Sequence, residues 1–362
     1  MPTVKNIDSI RYFLNRFPTI DSGYDYTVDY HKDAKSKFTS LPTFVAEFFD
    51  CKVNNCPVLI TNDNHMITQH VWNITHRHRH KAKKTHRLWQ EWRESMEVNL
   101  PPVTKQFNET YTYVWLPIDE ESAENPWHVW IDMISKFRLI EKRWSTNFSK
   151  YVFVLTNHSD YFEKVCRQFF PDLKYMIMPR DETWQFKHLI VPSLSNCDDG
   201  VITPALARWL RSLKNNLEVA SDTKRKIFVS RDDARSRRLL NADKLMIALK
   251  GWETVTLQDM PIRQQVMCFS QASHVVTTHG AGLINLLWCE PGTKVVEIQD
   301  IKKIDKKVYP VLSYHLGLEH KIHLARTVPI KLSGPKPRGT KKWQMVNFEI
   351  NIAELIRNLD KI

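Results

Sequence analysis

The chain is poor in glycine and has no long apolar segment. Only nine glycines occur among 362 residues, and three of these fall between Gly280 and Gly292. A chain that gathers its few glycines at one place makes that place a candidate site, because glycine lets the backbone approach a ligand closely. No apolar run reaches the roughly 20 residues needed to cross a bilayer, and the first residues lack the apolar core of a signal peptide. We therefore expect a soluble, cytoplasmic protein with no transmembrane segment.

The cysteines show no metal-binding spacing. The chain has six, and the C-x4-C pair of Cys51 and Cys56 has no partner pair. Free thiols in a reducing compartment are the simplest interpretation. N-glycosylation patterns begin at Asn73, Asn108, Asn147 and Asn157. Without a signal for secretion we interpret them as chance matches.

Several cofactor-binding patterns are missing. The sequence contains no G-x-x-x-x-G-K-[ST], which excludes a P-loop NTPase, and no G-x-G-x-x-G, the usual dinucleotide fingerprint. It contains no G-x-S-x-G, which argues against an α/β-hydrolase. No D-x-D triplet occurs either. A nucleotide-sugar enzyme built on this chain would therefore neutralise its leaving diphosphate with arginines and a helix dipole. We expect no metal and no other cofactor.

The chain is strongly basic. The formal net charge is +12 and the isoelectric point is about 9.3, so an acidic partner is expected: a nucleotide, a nucleic acid, an anionic glycan or a membrane surface. Basic residues concentrate at 76–87 and 329–342, although charge runs are more often solvated than functional. A nucleic-acid-binding protein is one alternative, but no RNA-binding or helix-turn-helix pattern supports it.

The glycines of interest lie in a strand–turn–helix–strand pattern at residues 274–298. Two β-branched runs, Val275 to Thr278 and Val295 to Ile298, flank a short apolar stretch. The turn His279-Gly280-Ala281-Gly282 lies where the first strand ends and the helix begins. A helix N-terminus offers unpaired N–H groups and partial positive charge, and a phosphate or diphosphate is its natural ligand. A tight turn that binds nothing fits the local pattern equally well.

Strands and helices alternate over 111–178 and again over 203–298. This alternation predicts an α/β fold with two Rossmann-like, doubly wound lobes and a cleft between them. We place an N-terminal, acceptor-side lobe at 1–195 and a nucleotide-sugar-binding lobe at 196–330. The tail at 331–362 ends in a helix, and its return to the N-terminal lobe is left open. Residues before about 110 are predicted to be irregular, apart from a buried strand at 57–60.

Polar side chains follow the predicted strands and begin the predicted helices. A loop with four arginines follows the strand at 226–230, on the sheet edge where open α/β sheets bind ligands; its guanidinium groups suit phosphate. Asn241 is predicted to cap the next helix. Glu297 ends the last strand, where it would accept hydrogen bonds from a ribose, cap a helix or form a salt bridge. Upstream, Asn125 and Pro126 begin a helix on which His128 and Asp132 lie four residues apart, on one face.

Taken together, these motifs resemble glycosyltransferase family 61. The upstream element from Asn125 to Asp132 resembles the N-x-x-H-x-x-x-D pattern of that family. The downstream elements resemble its C-terminal half in order and spacing; they are Ser230-Arg231, Arg238, Asn241, Gln265, Phe269, the His279 turn, Asn285, Pro291-Gly292 and Glu297. The resemblance covers about residues 110–300, roughly half of the chain.

The resemblance implies a GT-B fold and a sugar transfer from a UDP donor with inversion and without a metal. Members transfer xylose, N-acetylglucosamine or arabinose; for this chain xylose is the first expectation and N-acetylglucosamine the next, with a glycan as acceptor. The absence of an anchor or signal makes the chain look more like a bacterial or viral-type member. A non-catalytic nucleotide- or glycan-binding protein is the other alternative.

Carried over by position, the resemblance also implies residue roles. The residues that would hold the nucleotide diphosphate are Arg231, Arg238, Asn241, His279, Gly280, Ala281 and Gly282. Arg235 joins them because it lies in the same arginine loop at the sheet edge, not because of the resemblance. Asn285 and Glu297 would support that site or touch the nucleoside. His128 and Asp132 would face it from the other lobe and supply the base that takes the proton of the acceptor hydroxyl. We favour Asp132 as the base with His128 supporting it; the reverse assignment and an ordinary helix-surface contact stay open.

Overall fold

The computed structural model describes most of the chain, in two compact units. The described residues are 5–7, 18–22, 25–31, 34–40, 42–55, 58–63, 65–67, 100–118, 120–195, 201–219, 224–300, 307–330 and 346–360. The first unit comprises Met1–Tyr26 and Phe38–Gly200, and the second comprises Thr27–Lys37 and Val201–Ile362. The basic tract at 76–87, the pattern at Asn73, the cysteines Cys56 and Cys197 and nearly all of the basic stretch at 329–342 lie outside the described residues.

The described strands carry the labels β1 to β18 in chain order. They are β1 (Lys5–Ile7), β2 (Thr19–Asp21), β3 (Asp25–His31), β4 (Ala34–Thr39), β5 (Thr43–Asn54), β6 (Val58–Ile60), β7 (His65–Ile67), β8 (Val103–Phe107), β9 (Thr112–Leu116), β10 (Tyr151–Leu155), β11 (Lys174–Ile177), β12 (Thr183–Pro192), β13 (Arg225–Val229), β14 (Glu253–Val255), β15 (Ala272–Thr278), β16 (Lys294–Asp300), β17 (Glu319–Pro329) and β18 (Val346–Glu349).

The described α-helices carry the labels α1 to α9. They are α1 (Glu120–Ala123), α2 (Pro126–His128), α3 (Ser135–Arg143), α4 (Asp160–Phe169), α5 (Pro204–Ser212), α6 (Ala242–Ala248), α7 (Ile262–Ser270), α8 (Val308–Leu316) and α9 (Ile352–Leu359). A π-helical segment, Val129–Ile134, joins α2 to α3, and 3-10 helices occupy Phe148–Lys150, Leu213–Leu217 and Ala281–Trp288.

The first unit is built on a mixed ten-stranded sheet. Its strand order is β1-β7-β6-β5-β12-β9-β10-β11, with β2 added beside β5 and β8 beside β12. Strands β9, β10 and β11 are parallel, as the alternating pattern predicts, whereas β5 runs antiparallel to both β12 and β6. This unit is therefore α/β but not a purely parallel, doubly wound lobe.

The prediction that residues before about 110 are irregular was wrong for β5. This strand is twelve residues long, and its first four residues, Thr43 to Ala46, are all buried. A strand covered on both faces shows no apolar–polar alternation, which is why the pattern was missed. The predicted buried strand near residue 58 is confirmed as β6.

The second unit is built on a six-stranded sheet of order β14-β13-β15-β16-β17-β18. The first five strands are parallel and β18 is an antiparallel edge strand. The alternation predicted over 203–298 is confirmed by α5, β13, α6, β14, α7, β15 and β16. The ends of the parallel strands β13 and β15 place the arginine loop and the glycine-bearing turn at one sheet edge, because Val229 pairs with Thr277.

The described end of the chain packs within the second unit. Strand β18 pairs with β17, and α9 contacts α6, β16 and β17. Phe348 and Leu355 are buried in the core cluster that also contains Val296. The described part of the tail therefore belongs to the core of the second unit, and a return of the tail to the first unit stays a prediction.

Within the described ranges, no helix is both long and apolar enough to cross a membrane. The cysteines of these ranges, Cys51, Cys166, Cys268 and Cys289, are buried free thiols.

A buried ion pair ties the edge of the first sheet to α3. Arg138 is 5% exposed and donates two hydrogen bonds to the carboxylate of Asp21, at 2.6 and 3.1 Å. Lys142, 45% exposed, donates to the same carboxylate at 3.0 Å. Burial alone would raise the pKa of Asp21, but the hydrogen bonds from Arg138 and Lys142 outweigh it and hold the pKa at about 2.

We predict that Arg138→Met lowers the free energy of unfolding by about 3 kcal/mol, because it leaves a partly buried carboxylate without its main partner. Lys142→Met is the matched control and should cost about 0.5 kcal/mol, as expected for an exposed ion pair. Urea denaturation followed by tryptophan fluorescence measures both. Equal losses in the two variants would contradict the assignment of Arg138 as the main partner.

Candidate functional site

The two glycines of the turn after β15 both lie close against side chains of the second unit. Gly280 has φ 177° and ψ 171°, an extended conformation open to any residue. A Cβ on Gly280, however, would lie 2.3 Å from Nη1 of Arg231, and a Cβ on Gly282 would lie 2.9 Å from Leu257 Cδ1. The glycines therefore make room for protein side chains, one of them a guanidinium, rather than directly for a ligand. The helix that follows is a 3-10 helix rather than an α-helix.

Two arginines lie half-buried against this turn. Arg231 lies over Gly280, and Arg237 donates from Nη1 to the carbonyl oxygen of His279 at 3.0 Å. Burial lowers the pKa of Arg231, and it lowers the pKa of Arg237 to about 10, with the charge of Arg231 as a second cause. The Nε atoms of both are buried without a hydrogen-bond partner. Within the described residues no carboxylate forms an ion pair with either guanidinium, so the pair is a concentration of positive charge with unused donors.

The backbone of Arg237 is held in a conformation that side chains rarely adopt. Its φ is 60°, in the left-handed region. Its N–H donates to the carbonyl oxygen of Val346 on β18 at 2.6 Å, and its carbonyl oxygen accepts from Oγ1 of Thr278 at 3.0 Å. Left-handed non-glycine residues persist where the surroundings fix them, often at functional sites. These contacts hold Arg237 at the turn.

A buried glutamate lies beneath the turn. Glu297 is fully buried and accepts hydrogen bonds from Nδ1 of His279 and, at 3.1 Å, from Nε2 of His320. Burial would raise the pKa of Glu297, but the charge and hydrogen bond of His279, with those of His320, hold the pKa at about 2. Both carboxylate oxygens are thus engaged by protein groups. The salt-bridge alternative fits this geometry, and the ribose contact stays a prediction.

A tyrosine on α8 completes this group. The ring of Tyr309 is buried and meets the ring of His279 edge-on, with 5.4 Å between centroids. Burial raises the pKa of Tyr309, and the charge of Glu297 raises it further, whereas Arg237 and Arg231 oppose this. The mutual influence of these groups indicates that they form one electrostatic cluster in the second unit.

The other predicted residues of this unit lie apart from that cluster or serve the fold. Arg235 and Arg238 are exposed. The side-chain amide of Asn241 both donates to and accepts from the backbone of Ile350, so it does not cap α6 as predicted. The buried amide of Asn285 accepts from the indole of Trp288 and donates to Gln265 and to the carbonyl oxygen of Gly282. Ala281 begins the 3-10 helix.

Sequence reasoning missed three members of the cluster. Arg237 was visible as one of four arginines in the loop, but nothing in the sequence distinguished it from the exposed ones. His320 and Tyr309 lie on later elements, outside any motif. Only the register of β16 with β17, which pairs Val295 with His320 and Glu297 with Ile322, brings His320 beside Glu297.

The first unit holds the predicted histidine–aspartate pair. Asn125 caps α2 by accepting from the N–H of Trp127, and the π-helical segment follows directly. Nδ1 of His128 lies 2.6 Å from Oδ2 of Asp132, which confirms the predicted contact. The side chain of Asp132 is 2% exposed and that of His128 is 22% exposed. π-Helical segments recur at functional sites.

A buried lysine adjoins this pair. Lys136 follows Asp132 by four residues and is 1% exposed. Burial lowers the pKa of Lys136 to about 8, and the charge of Asp132 opposes that shift. Of these three side chains, that of His128 is partly exposed, whereas those of Asp132 and Lys136 are buried. An ordinary helix-surface contact does not have this arrangement.

No group of three or more histidine, cysteine, aspartate or glutamate residues that could hold a metal ion occurs in the described ranges. Metal independence stays a prediction. Because both basic stretches lie almost wholly outside the described residues, the nucleic-acid alternative also stays untested.

Comparison with known proteins matches the segment that carries the histidine–aspartate pair, the arginine loop and the turn. The family model Glycosyltransferase 61 matches residues 127–296. The match begins one residue before His128 and ends one residue before Glu297, and it includes the arginine loop and the turn. No curated protein sequence matches the chain.

We predict that Gly280→Ala weakens the binding of pyrophosphate about tenfold, because the new Cβ must displace the guanidinium of Arg231 and one charged hydrogen bond is lost. Gly251→Ala is the control: Gly251 has φ +83° and nothing within 4 Å of an added Cβ, so that variant loses stability but keeps its affinity. Calorimetric titration with pyrophosphate compares them. Unchanged affinity in Gly280→Ala would show that Arg231 does not bind the anion.

Proposed function

We propose that this chain, which the family model Glycosyltransferase 61 matches over residues 127–296, is a glycosyltransferase of that family and transfers a sugar from a UDP-sugar to a hydroxyl group of a glycan acceptor. The proposed transfer inverts the anomeric centre and needs no metal. Xylose is the first candidate for the sugar and N-acetylglucosamine the second, on family analogy alone. The GT-B arrangement stays a prediction.

The observation that carries this proposal is the pair of half-buried guanidinium groups at the turn after β15, whose buried Nε atoms have no hydrogen-bond partner. Removing two like charges from water is costly unless a counter-charge meets them. A diphosphate is a suitable counter-charge, because arginine donates paired hydrogen bonds to phosphate oxygens. The 3-10 helix that begins at Ala281 adds unpaired backbone N–H groups at the same turn. Arg231 and Arg237 are therefore the proposed diphosphate-binding residues, in place of the exposed Arg235 and Arg238.

The same charges would stabilise the leaving group. When the bond between the anomeric carbon and the phosphate oxygen breaks, that oxygen keeps the electron pair and negative charge develops on the diphosphate. Fixed positive groups aimed at developing charge lower the barrier of such a step. Arg231 and Arg237 would supply this stabilisation, as a metal ion does in other enzymes.

For the base we favour His128, reversing the assignment that the sequence favoured. Asp132 is 2% exposed, too buried to meet an acceptor, whereas His128 is 22% exposed. With Nδ1 donating to Asp132, the neutral ring carries its lone pair on Nε2. That atom would take the proton as the acceptor oxygen bonds to the anomeric carbon, and Asp132 would stabilise the imidazolium that forms. Lys136, whose pKa is lowered by burial, is a buried neighbour of Asp132.

We predict that Arg237→Met weakens UDP binding roughly tenfold to a hundredfold, because a buried guanidinium–phosphate contact is lost. Arg235→Met is the matched control, since Arg235 belongs to the same loop but is exposed, and its affinity should stay near that of the unmodified protein. Calorimetry with UDP measures both. Equal losses would assign the effect to net charge rather than to the buried site.

We predict that His128→Gln lowers kcat by about 10²- to 10⁴-fold, the contribution expected of a general base, and leaves UDP affinity unchanged. Asp132→Asn should lower kcat less, because the imidazole remains. His158→Gln is the control: this histidine of the same unit lies 3.3 Å from Glu163 and its side chain is 33% exposed. Turnover in His128→Gln near that of the unmodified protein would remove His128 as the base, and a larger loss in Asp132→Asn would restore Asp132.

The function itself is tested by saturation-transfer NMR of the protein with UDP- and GDP-sugars in EDTA, together with slow donor hydrolysis. Selective binding of one UDP-sugar with release of UDP supports the proposal and identifies the donor. Binding only after a divalent metal is added would contradict metal independence. Donor binding without turnover, with any acceptor, would favour the non-catalytic alternative.

A further inference from the structure

The end of the loop that carries Arg237 is bonded to the last strand of the chain. The N–H of Arg237 donates to the carbonyl oxygen of Val346 at 2.6 Å, and the N–H of Leu240 donates to that of Phe348 at 2.8 Å. In return, the N–H of Phe348 donates to the carbonyl oxygen of Arg238 at 2.8 Å. This part of the loop therefore pairs with β18 as a further short strand would.

Two asparagine side chains extend the pairing. Oδ1 of Asn347, on β18, accepts from the N–H of Arg238 at 3.1 Å. Asn241 donates from Nδ2 to the carbonyl oxygen of Ile350 at 2.9 Å and accepts at Oδ1 from the N–H of Ile350 at 3.3 Å. The amide of Asn241 thus takes the place of a backbone group at the end of the paired segment. Its role in this geometry is to join the loop to the tail.

Apolar side chains of the loop and the tail share one core. Leu239, from the loop, and Phe348 and Ile350, from the tail, are all buried in the same cluster as Leu355 of α9. Because protein interiors are closely packed, a shift of one segment disturbs the other. The loop and the tail are therefore coupled by packing as well as by hydrogen bonds.

Arg237 is the residue through which this contact reaches the proposed donor site. Its φ of 60° is a conformation that a side chain keeps only where the surroundings fix it. One anchor is Val346, from the tail. The other is Thr278, whose Oγ1 donates to the carbonyl oxygen of Arg237 at 3.0 Å. These two backbone anchors fix the direction in which the guanidinium leaves the loop.

We infer that β18 contributes to donor binding without touching the donor: Asn347, Asn241 and Thr278 are positioning residues that hold Arg237 for a diphosphate. The tail from Val346 onward lies beyond the matched residues 127–296. The inference rests on the proposed function, because it assumes that the anion at Arg237 is the diphosphate of a donor. Such coupling is reciprocal, so a bound donor also strengthens the contact between the loop and β18.

The first test removes a side-chain contact between the tail and the loop. Asn347→Ala is expected to weaken UDP binding roughly threefold to tenfold, because one hydrogen bond that fixes the loop is lost. Asn358→Ala is the matched control, since Asn358 is another half-buried asparagine of the tail but contacts His323, at 3.1 Å. Its UDP affinity should not change. Equal losses in the two variants, or no loss in Asn347→Ala, would overturn the inference.

A second set of variants tests the other anchor. Thr278→Val removes the hydroxyl that donates to Arg237 and is expected to weaken UDP binding as Asn347→Ala does, whereas Thr278→Ser keeps the hydroxyl and should restore most of the affinity. Thr293→Val is the control, because the hydroxyl of this buried threonine donates to backbone carbonyl groups elsewhere. A loss in Thr278→Ser or in Thr293→Val as large as that in Thr278→Val would contradict the inference.

The Arg237→Met protein separates positioning from a general loss of structure. If Asn347 and Thr278 act through Arg237, then Asn347→Ala and Thr278→Val have no further effect on UDP affinity when Arg237 is already replaced. Losses that add to that of Arg237→Met would show that these residues act independently of Arg237, and would overturn the inference.

Hydrogen exchange tests the reciprocal effect. Saturation with UDP is expected to slow exchange of the Leu240 and Phe348 amides, which join the loop to β18, several-fold more than that of Leu355, whose N–H donates to Asn351 at the start of α9. Equal slowing at all three amides, or none at Leu240 and Phe348, would contradict coupling between the donor and the tail.

A failure of this inference is distinguishable from a failure of the proposed function. If UDP binds equally well to the unmodified protein, Asn347→Ala and Thr278→Val, the inference fails and the proposed function stands. If the unmodified protein does not bind UDP, the proposed function fails and pyrophosphate becomes the probe. Losses of pyrophosphate affinity that vanish in the Arg237→Met protein would still support positioning by β18; no pyrophosphate binding, or losses that persist there, would overturn it.

Discussion

Two half-buried guanidinium groups at the carboxyl ends of neighbouring parallel strands impose the main constraint on the second unit. Their partial burial has a desolvation cost, and the surrounding structure meets it with specific contacts. Gly280 lacks the Cβ that would occupy the position of Arg231. The carbonyl oxygen of His279 accepts from Arg237, and β18, through Val346, fixes the unusual backbone of that residue.

The electrostatic balance of the cluster explains why an anion is the expected ligand. Glu297 supplies one buried negative charge, but both of its oxygens are taken by imidazoles. The guanidinium groups keep unused N–H donors, including both Nε atoms. If stability were the only requirement, apolar side chains could stand in place of such charges at little cost in the free energy of folding. Their retention beside a helix N-terminus, within a segment that matches Glycosyltransferase 61, is consistent with binding and stabilising a diphosphate.

Much of this could be predicted from local pattern, and the failures have physical reasons. The alternation of strands and helices in the second unit, the His279 turn and the contact of His128 with Asp132 all follow from periodicity and spacing. The assignment of roles among the arginines could not follow, because burial separates Arg231 and Arg237 from Arg235 and Arg238 although all four share one loop. Gly280 makes room for the side chain of Arg231, about fifty positions earlier in the sequence, and local pattern does not show such a distant contact. The contact of His320 with Glu297 could not be predicted, because it depends on the register of two parallel strands.

The most direct measurement is ¹H–¹⁵N NMR of the arginine Nε–H groups during titration with UDP, with Arg231 and Arg237 assigned by substitution. We predict that the Nε–H resonances of these two residues shift and sharpen as UDP binds, while those of Arg235 and Arg238 move little. UDP binding that leaves the resonances of Arg231 and Arg237 unchanged would place the diphosphate elsewhere and contradict the proposed donor site.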